Sequence, residues 1–272
     1  KSAMLTGKGS GCLHDYQLTP ADMSKLEKSD CIVINGAGME SFMDDYLHKR
    51  SDIPIIDASA NNTLLHDDGK TIPFDSRHDH DHSHHHGHDH NHNNHHNLET
   101  VNPHVWLSPS QYIIQVQTIT SGLCSWDTAN AALYKQNSDA YIARVGKLKG
   151  DLDSLLRDIT HRDLITFHSA FNYLASDYNL TVRAVIQQEP GQEPSATELI
   201  ELIKAIKFHN IRSVFVEPQY RSKTAEVLSR ETGVRIDTLD PVVTGDLNPD
   251  AYINAMLKNG RVLHAALSGK PQ

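Results

Sequence analysis

Between residues 164 and 240, four short apolar stretches alternate with segments of helical periodicity, and this alternation constrains the fold most. The stretches are LITFH (164–168), TVRAVIQ (181–187), RSVFVEP (212–218) and VRIDTLD (234–240). Between them lie SAFNYLASDY, SATELIELIKAIKFHN and SKTAEVLSRETG. Ser195 and Glu198 form a capping box for the second of these helices, and Gly233 ends the third. Near-continuous apolar strands interleaved with helices predict a parallel sheet covered by helices. DAYINAMLKNGRVLHAAL predicts a closing helix.

The first part of the chain repeats the alternation. Thr19 caps a predicted helix over 19–30, Pro20 fits its first position, and Asp22 suits its positive end. CIVING (31–36) reads as a buried strand in which Cys31 is a small hydrophobe. Gly36 and Gly38 then turn the chain, and Met39, Phe42, Met43, Tyr46 and Leu47 recur at helical spacing. IPIIDAS (53–59) is a further short strand. Ser108, Pro109 and Gln111 predict a capping box for a helix carrying Ile113, Ile114, Val116 and Ile119.

Residues 128–158 read as one helix, with Leu133, Asn137, Tyr141, Val145, Leu148, Leu152 and Leu155 at steps of three and four. Such a helix spans roughly 45 Å, long enough to cross between domains. The expected fold is α/β: two parallel-sheet lobes joined by one long rigid helix. The expected boundaries are 1–127 for the first lobe, 128–158 for the linking helix and 159–272 for the second lobe. A length of 272 residues accommodates both.

Residues 75–97 break the pattern. Nothing apolar lies between Phe74 and Leu98, so this insert cannot offset its ordering entropy and is expected to be disordered. It carries eleven of the 19 histidines: His78, His80, His82, His84, His85, His86, His88, His90, His92, His95 and His96. Neutral imidazoles two residues apart in a flexible chain can wrap a cation, though more weakly than a preformed site. They are expected to be auxiliary metal ligands that collect ions or sense supply.

A net charge of -9 argues against nucleic acid as a partner. No apolar run approaches the roughly 18 residues of a membrane span, and no signal peptide is visible at Lys1. Three cysteines (Cys12, Cys31, Cys124) show no paired spacing. TGKGSG (6–11) lacks the Walker pattern, and no HExxH is present, so phosphate-loop and zincin readings are unsupported.

Ligands of open parallel sheets bind beyond the carboxyl ends of strands. The predicted strands of the second lobe place His168, Glu217 and Asp240 there. His104 lies in NPHVWLSP between two prolines, and His14 in GCLHDYQLTP. His14, His104, His168 and Asp240 would supply three nitrogens and one oxygen, a set that suits Zn2+ and disfavours Mg2+ or Ca2+. Glu217 reads as an outer partner or a surface acid rather than a ligand. Cys12 is an alternative to His14, and Trp106 reads as packing.

NPHVWLSP, FHSAFNYL, IQQEPGQEPSATEL, FVEPQY and LDPVVTGD occur in this order and resemble the zinc-binding solute-binding proteins of bacterial ABC metal importers. The resemblance covers nearly the whole chain. It implies metal in the cleft between the lobes, with His14, His104, His168 and Asp240 at the family's ligand positions. Manganese-binding relatives carry a carboxylate where His168 stands, so the resemblance implies Zn2+ over Mn2+. Family members open with a further strand and helix ahead of residues 1–14, so the first lobe is expected to be incomplete as given.

The implied function is extracytoplasmic Zn2+ capture, in the periplasm or at the cell surface. The implied partner is an ABC permease, served by a monomer that is not an enzyme and that a lipid anchor outside this chain would tether. Alternatives are a zinc storage or chaperone protein acting through the histidine tract, and a zinc-dependent hydrolase with Glu217 as base. Four filled positions argue against the hydrolase, since catalytic zinc keeps one open for water. Ligation requires neutral imidazole, so affinity should fall as pH drops through the histidine range near ~6.5.

Overall fold

The computed structural model describes Leu5 and residues 16–50, 52–67, 100–187, 193–219, 222–243 and 248–269. His14, Cys12 and the tract 75–97 lie outside the described residues. Two parallel sheets and a long helix build the expected α/β architecture of two lobes.

The first lobe opens with α1 (Pro20–Glu27), where Thr19 and Asp22 form a reciprocal capping box. Asp22 also accepts from the Tyr16 hydroxyl and from Lys25 Nζ. These donors, with the Thr19 hydroxyl first, hold its carboxyl below the usual carboxylate range. β1 (Ile32–Ile34) pairs in parallel with β2 (Ile55–Asp57). Neither strand is buried on both faces: Val33 is 46% and Ile55 36% exposed, while Ile32 and Ile56 face inward. The expectation of a fully buried strand is thus corrected. Among the described residues these strands form a two-stranded sheet with one covered face, which shows the alternation of a half-buried strand. Cys31 is correspondingly only half-buried.

The helix expected from Met39 starts later. Gly36, Ala37 and Gly38 all adopt positive φ, at 79°, 53° and 81°. The Glu40 carboxylate folds back to accept from the Asn35 and Gly36 amides at 2.7 and 3.0 Å. Helical backbone therefore begins with a 3-10 turn at Ser41–Met43 and continues as α2 (Asp44–Lys49).

Two short strands that the sequence did not suggest, β3 (His66–Asp67) and β4 (Thr100–Val101), pair antiparallel. They bring together the two ends of the segment that contains the histidine tract. α3 (Pro109–Trp126) starts at Ser108, which accepts from the Gln111 amide at 3.0 Å. The expected capping box is only half present. The Gln111 side chain turns away from its own helix to accept from Asn62 Nδ2 and the Thr63 amide.

α4 (Ala131–Leu156) is the long helix, 26 residues after a 3-10 turn at Thr128–Asn130. It spans roughly 39 Å. Its Val145, Leu148, Leu152 and Leu156 face one core with Leu107, Phe171, Leu174, Phe215, Leu239 and Leu263. The second lobe holds β5 (Asp163–Thr166), α5 (Asn172–Asp177), β6 (Thr181–Val185), α6 (Ala196–Phe208), β7 (Ser213–Val216), α7 (Lys223–Thr232), β8 (Arg235–Thr238) and α8 (Ala251–Leu267). Its four strands are all parallel in the order β6-β5-β7-β8. The Ser195–Glu198 capping box and the left-handed Gly233 cap form as expected.

Gly36 marks the tightest turn of the first lobe. A methyl group there would collide with the Asp57 carboxylate and the Ser59 hydroxyl, in a backbone conformation that side chains disfavour. Gly36→Ala should lower unfolding free energy by about 1–2 kcal/mol from backbone strain alone, read by urea denaturation of metal-free protein.

Candidate metal centre

The strand order β6-β5-β7-β8 reverses direction at β5, so the crevice of this sheet opens between the carboxyl ends of β5 and β7. His168 follows β5 by two residues and Glu217 follows β7 by one. Both are buried, at 6% and 2% exposure, and His168 Nδ1 stands 3.4 Å from Glu217 Oε1. The reading of Glu217 as a surface acid is therefore wrong. Glu217 stands one residue past β7, an inner strand of the sheet.

His104, in the loop between β4 and α3, reaches the same place. It is 2% exposed, and its ring lies edge-on to that of His168, with centroids 4.8 Å apart. His104 Nδ1 lies 3.0 Å from Asn102 Oδ1, which also accepts from the His104 amide at 3.0 Å. A ring donating through Nδ1 carries its lone pair on Nε2, the usual arrangement of a metal-binding imidazole.

Asn102 is fully buried, and its Nδ2 donates to the Ser169 carbonyl at 2.8 Å. One amide thus grips the histidine of one loop and the residue after the histidine of the other. The Asn102 carbonyl accepts from the Tyr173 hydroxyl at 2.8 Å, and that oxygen accepts from the Leu65 amide. Behind His104, Asn35 Nδ2 donates to the Pro103 carbonyl, and Gln115 Nε2 donates to Asn35 Oδ1.

Asp240 follows β8 by two residues, at the sheet's outer edge. Two strand spacings separate β8 from β5, roughly 10 Å at the level of the sheet. Asn259 of α8 clamps the Asp240 backbone, accepting from its amide at 2.8 Å and donating to its carbonyl at 2.7 Å. Asp240 Oδ1 accepts from the Val242 amide, and Val242 sits at φ 58°, costly for a β-branched residue. The Trp106 indole N–H donates to the Pro241 carbonyl at 2.8 Å, and its ring lies 5.3 Å from that of His104. Trp106 therefore packs, as expected, and also ties the Asp240 turn to the His104 loop.

Among the described residues no group of three His, Cys, Asp or Glu side chains is gathered closely enough to hold an ion. His104 and His168 are brought together with Glu217 beside them. Asp240 is tied in through its neighbour, and His14 lies outside the described residues. Sequence does not single out Asn102, Asn35 or Asn259, because the Ser169, Pro103 and Asp240 carbonyls that they hold are brought near only by folding. The one local signal was Asn102 two residues before His104.

The family of "Zinc-uptake complex component A periplasmic" (ZnuA) matches residues 2–266. The chain belongs to this family. The high-affinity zinc uptake system protein ZnuA of Bacillus subtilis is 32% identical over 231 residues, covering 84% of this chain and 67% of that protein. The zinc-binding protein AdcA of Streptococcus pyogenes is 30% identical over 231 residues, covering 84% of this chain. The chain spans 44% of the length of AdcA. A crystal structure of ZnuA aligns with a TM-score of 0.77 at 27% identity, covering 98% of this chain and 90% of that one. This member of the ZnuA family thus has the family's fold over nearly its whole length.

Truncating the bridging amide should be costly without any metal present. Asn102→Ala leaves the Ser169 carbonyl and both His104 donors without this partner, and should destabilise the protein by on the order of 3 kcal/mol. Chemical denaturation of the chelator-treated protein measures this.

Proposed function

We propose that this chain captures Zn2+ outside the cytoplasm, in the periplasm or at the cell surface, and delivers it to an ABC-type permease. The observation that carries the reading is the buried, edge-on pair of His104 and His168, from the loop ahead of α3 and the loop after β5. Two histidines from loops 64 residues apart in sequence rarely share a buried crevice at a sheet's switch point for packing alone. The names of the relatives, a zinc-binding protein and a zinc uptake protein, support the same cargo. The division into lobes 1–127 and 159–272 around the helix 128–158 belongs to this proposal.

In this reading His104, His168, His14 and Asp240 coordinate the ion directly. Imidazole nitrogens and one carboxylate match the borderline character of Zn2+ and disfavour Mn2+, which prefers more oxygen. His14 arrives from the segment ahead of α1. The Asp240 turn, held at strained Val242, moves inward by a small distance when the ion supplies its positive charge. The lobes themselves move little. Asn102 to Ser169, Ser108 to Asp177 and Trp106 to Pro241 cross between them, and α4 limits their separation. Capture and release then belong to the loops at the mouth, where a permease would act on them. A monomer suffices, because both histidine loops come from one chain, and an anchor outside this chain would keep it near the membrane.

The tract with His78, His80, His82, His84, His85, His86, His88, His90, His92, His95 and His96 collects ions at lower affinity. β3 and β4 join its two flanks immediately ahead of Asn102 and His104. Equilibrium dialysis separates transport from storage. Deleting 75–97 should leave one tight zinc equivalent, whereas His168→Ala should weaken that equivalent far more than any single substitution in the tract. Loss of the tight equivalent on deletion would assign the function to the tract instead.

A further inference from the structure

Glu217 carries a buried oxygen that nothing in ordinary packing explains. Its Oε2 accepts from Gln219 Nε2 at 2.8 Å. Its Oε1 is enclosed and makes no hydrogen bond. His168 Nδ1 stands 3.4 Å from it, too long for a good hydrogen bond but within an ion-pair contact. A carboxylate at 2% exposure with one oxygen unsatisfied costs free energy, so a fold selected for stability alone would replace it.

We infer that Glu217 is the positioning residue for His168, holding that ring's Nδ1–H so that Nε2 is presented to the metal. The inference rests on the function proposed above and deepens it. When a dication draws electron density from Nε2, the Nδ1–H becomes a stronger donor. The 3.4 Å contact then shortens into a charge-assisted bond, and the lone Oε1 gains its partner. The cost carried without metal is recovered on binding.

The two buried histidines therefore have outer partners of different charge. His104 is held by the neutral amide of Asn102, and His168 by a carboxylate. The carboxylate makes His168 the more electron-rich ligand and adds a negative charge beyond the first shell. Gln219 orients the carboxylate from its far oxygen.

The test compares full-length wild type with E217Q. Competition against a chromophoric chelator reads the tightest zinc equivalent, the visible spectrum of the Co2+-loaded protein reads the ligand set, and melting of metal-free protein reads stability. E217Q should weaken the tightest equivalent roughly 10- to 100-fold. The cobalt band should stay in place, and the metal-free melting temperature should hold or rise. Unchanged affinity overturns the inference, and so does a shifted cobalt band, which would make Glu217 a direct ligand.

Gln219→Ala supplies a second variant should E217Q not fold. It should give a smaller loss of affinity with the same cobalt band, and unchanged affinity again counts against the inference. A wild-type protein without a tight equivalent defeats the proposed function and this inference with it. Tight wild-type binding that E217Q leaves intact defeats this one alone.

Discussion

The side-chain amide of Asn102 bonds both histidine-bearing loops, and the arrangement of the centre depends on it. Its oxygen accepts from the amide and the ring of His104, and its nitrogen donates to the carbonyl after His168. Each bond is worth only about 0.5–1.5 kcal/mol net. Full burial changes the balance, because losing the amide would leave several enclosed groups without this partner. A rotation of either loop would break a bond that water cannot replace. Two rings 4.8 Å apart are therefore held in one register before any ion arrives.

A seam of similar contacts extends from this point. The Tyr173 hydroxyl links Leu65 to Asn102, Ser108 donates to Asp177, and Trp106 donates to the carbonyl beside Asp240. Tyr252 of α8 donates to the Trp106 carbonyl, and its ring packs 4.0 Å from that of Tyr112. Leu107, between these residues, is wholly buried in the core of the second lobe. The segment 102–112 is thus chemically part of both lobes. Hinge motion across such a seam would expose many buried polar groups at once, so the account assigns movement to the mouth of the centre. Val242 at φ 58° and the Asx-type bond from its amide to Asp240 place backbone strain there.

Local rules made much of this legible in sequence. Thr19 with Asp22, Ser195 with Glu198, and Gly233 each end a helix where their side chains or backbone dictate. Strand-end placement alone puts His168, Glu217 and Asp240 on the ligand side of the second sheet. What sequence could not carry is partnership across distance. Gln111 was expected to close its own helix, but Asn62 and Thr63, almost 50 residues earlier, hold its side chain. Nothing adjacent to Glu217 in sequence announces its burial. β3 and β4 are two residues each, too short for any periodicity. The start of α2 was misplaced because Met39 has the right spacing, yet Glu40 is committed to the Gly36 turn.

In the proposed centre one ion is held by side chains from both lobes, with imidazole as the main donor. X-ray absorption at the zinc edge, on full-length protein loaded with a single equivalent, tests this most directly because the tightest site fills first. The expected result is a four-coordinate shell of three imidazoles near ~2.0–2.1 Å with one carboxylate oxygen and no sulfur. A shell with sulfur, with fewer than two imidazoles, or with six oxygen-rich neighbours would contradict it.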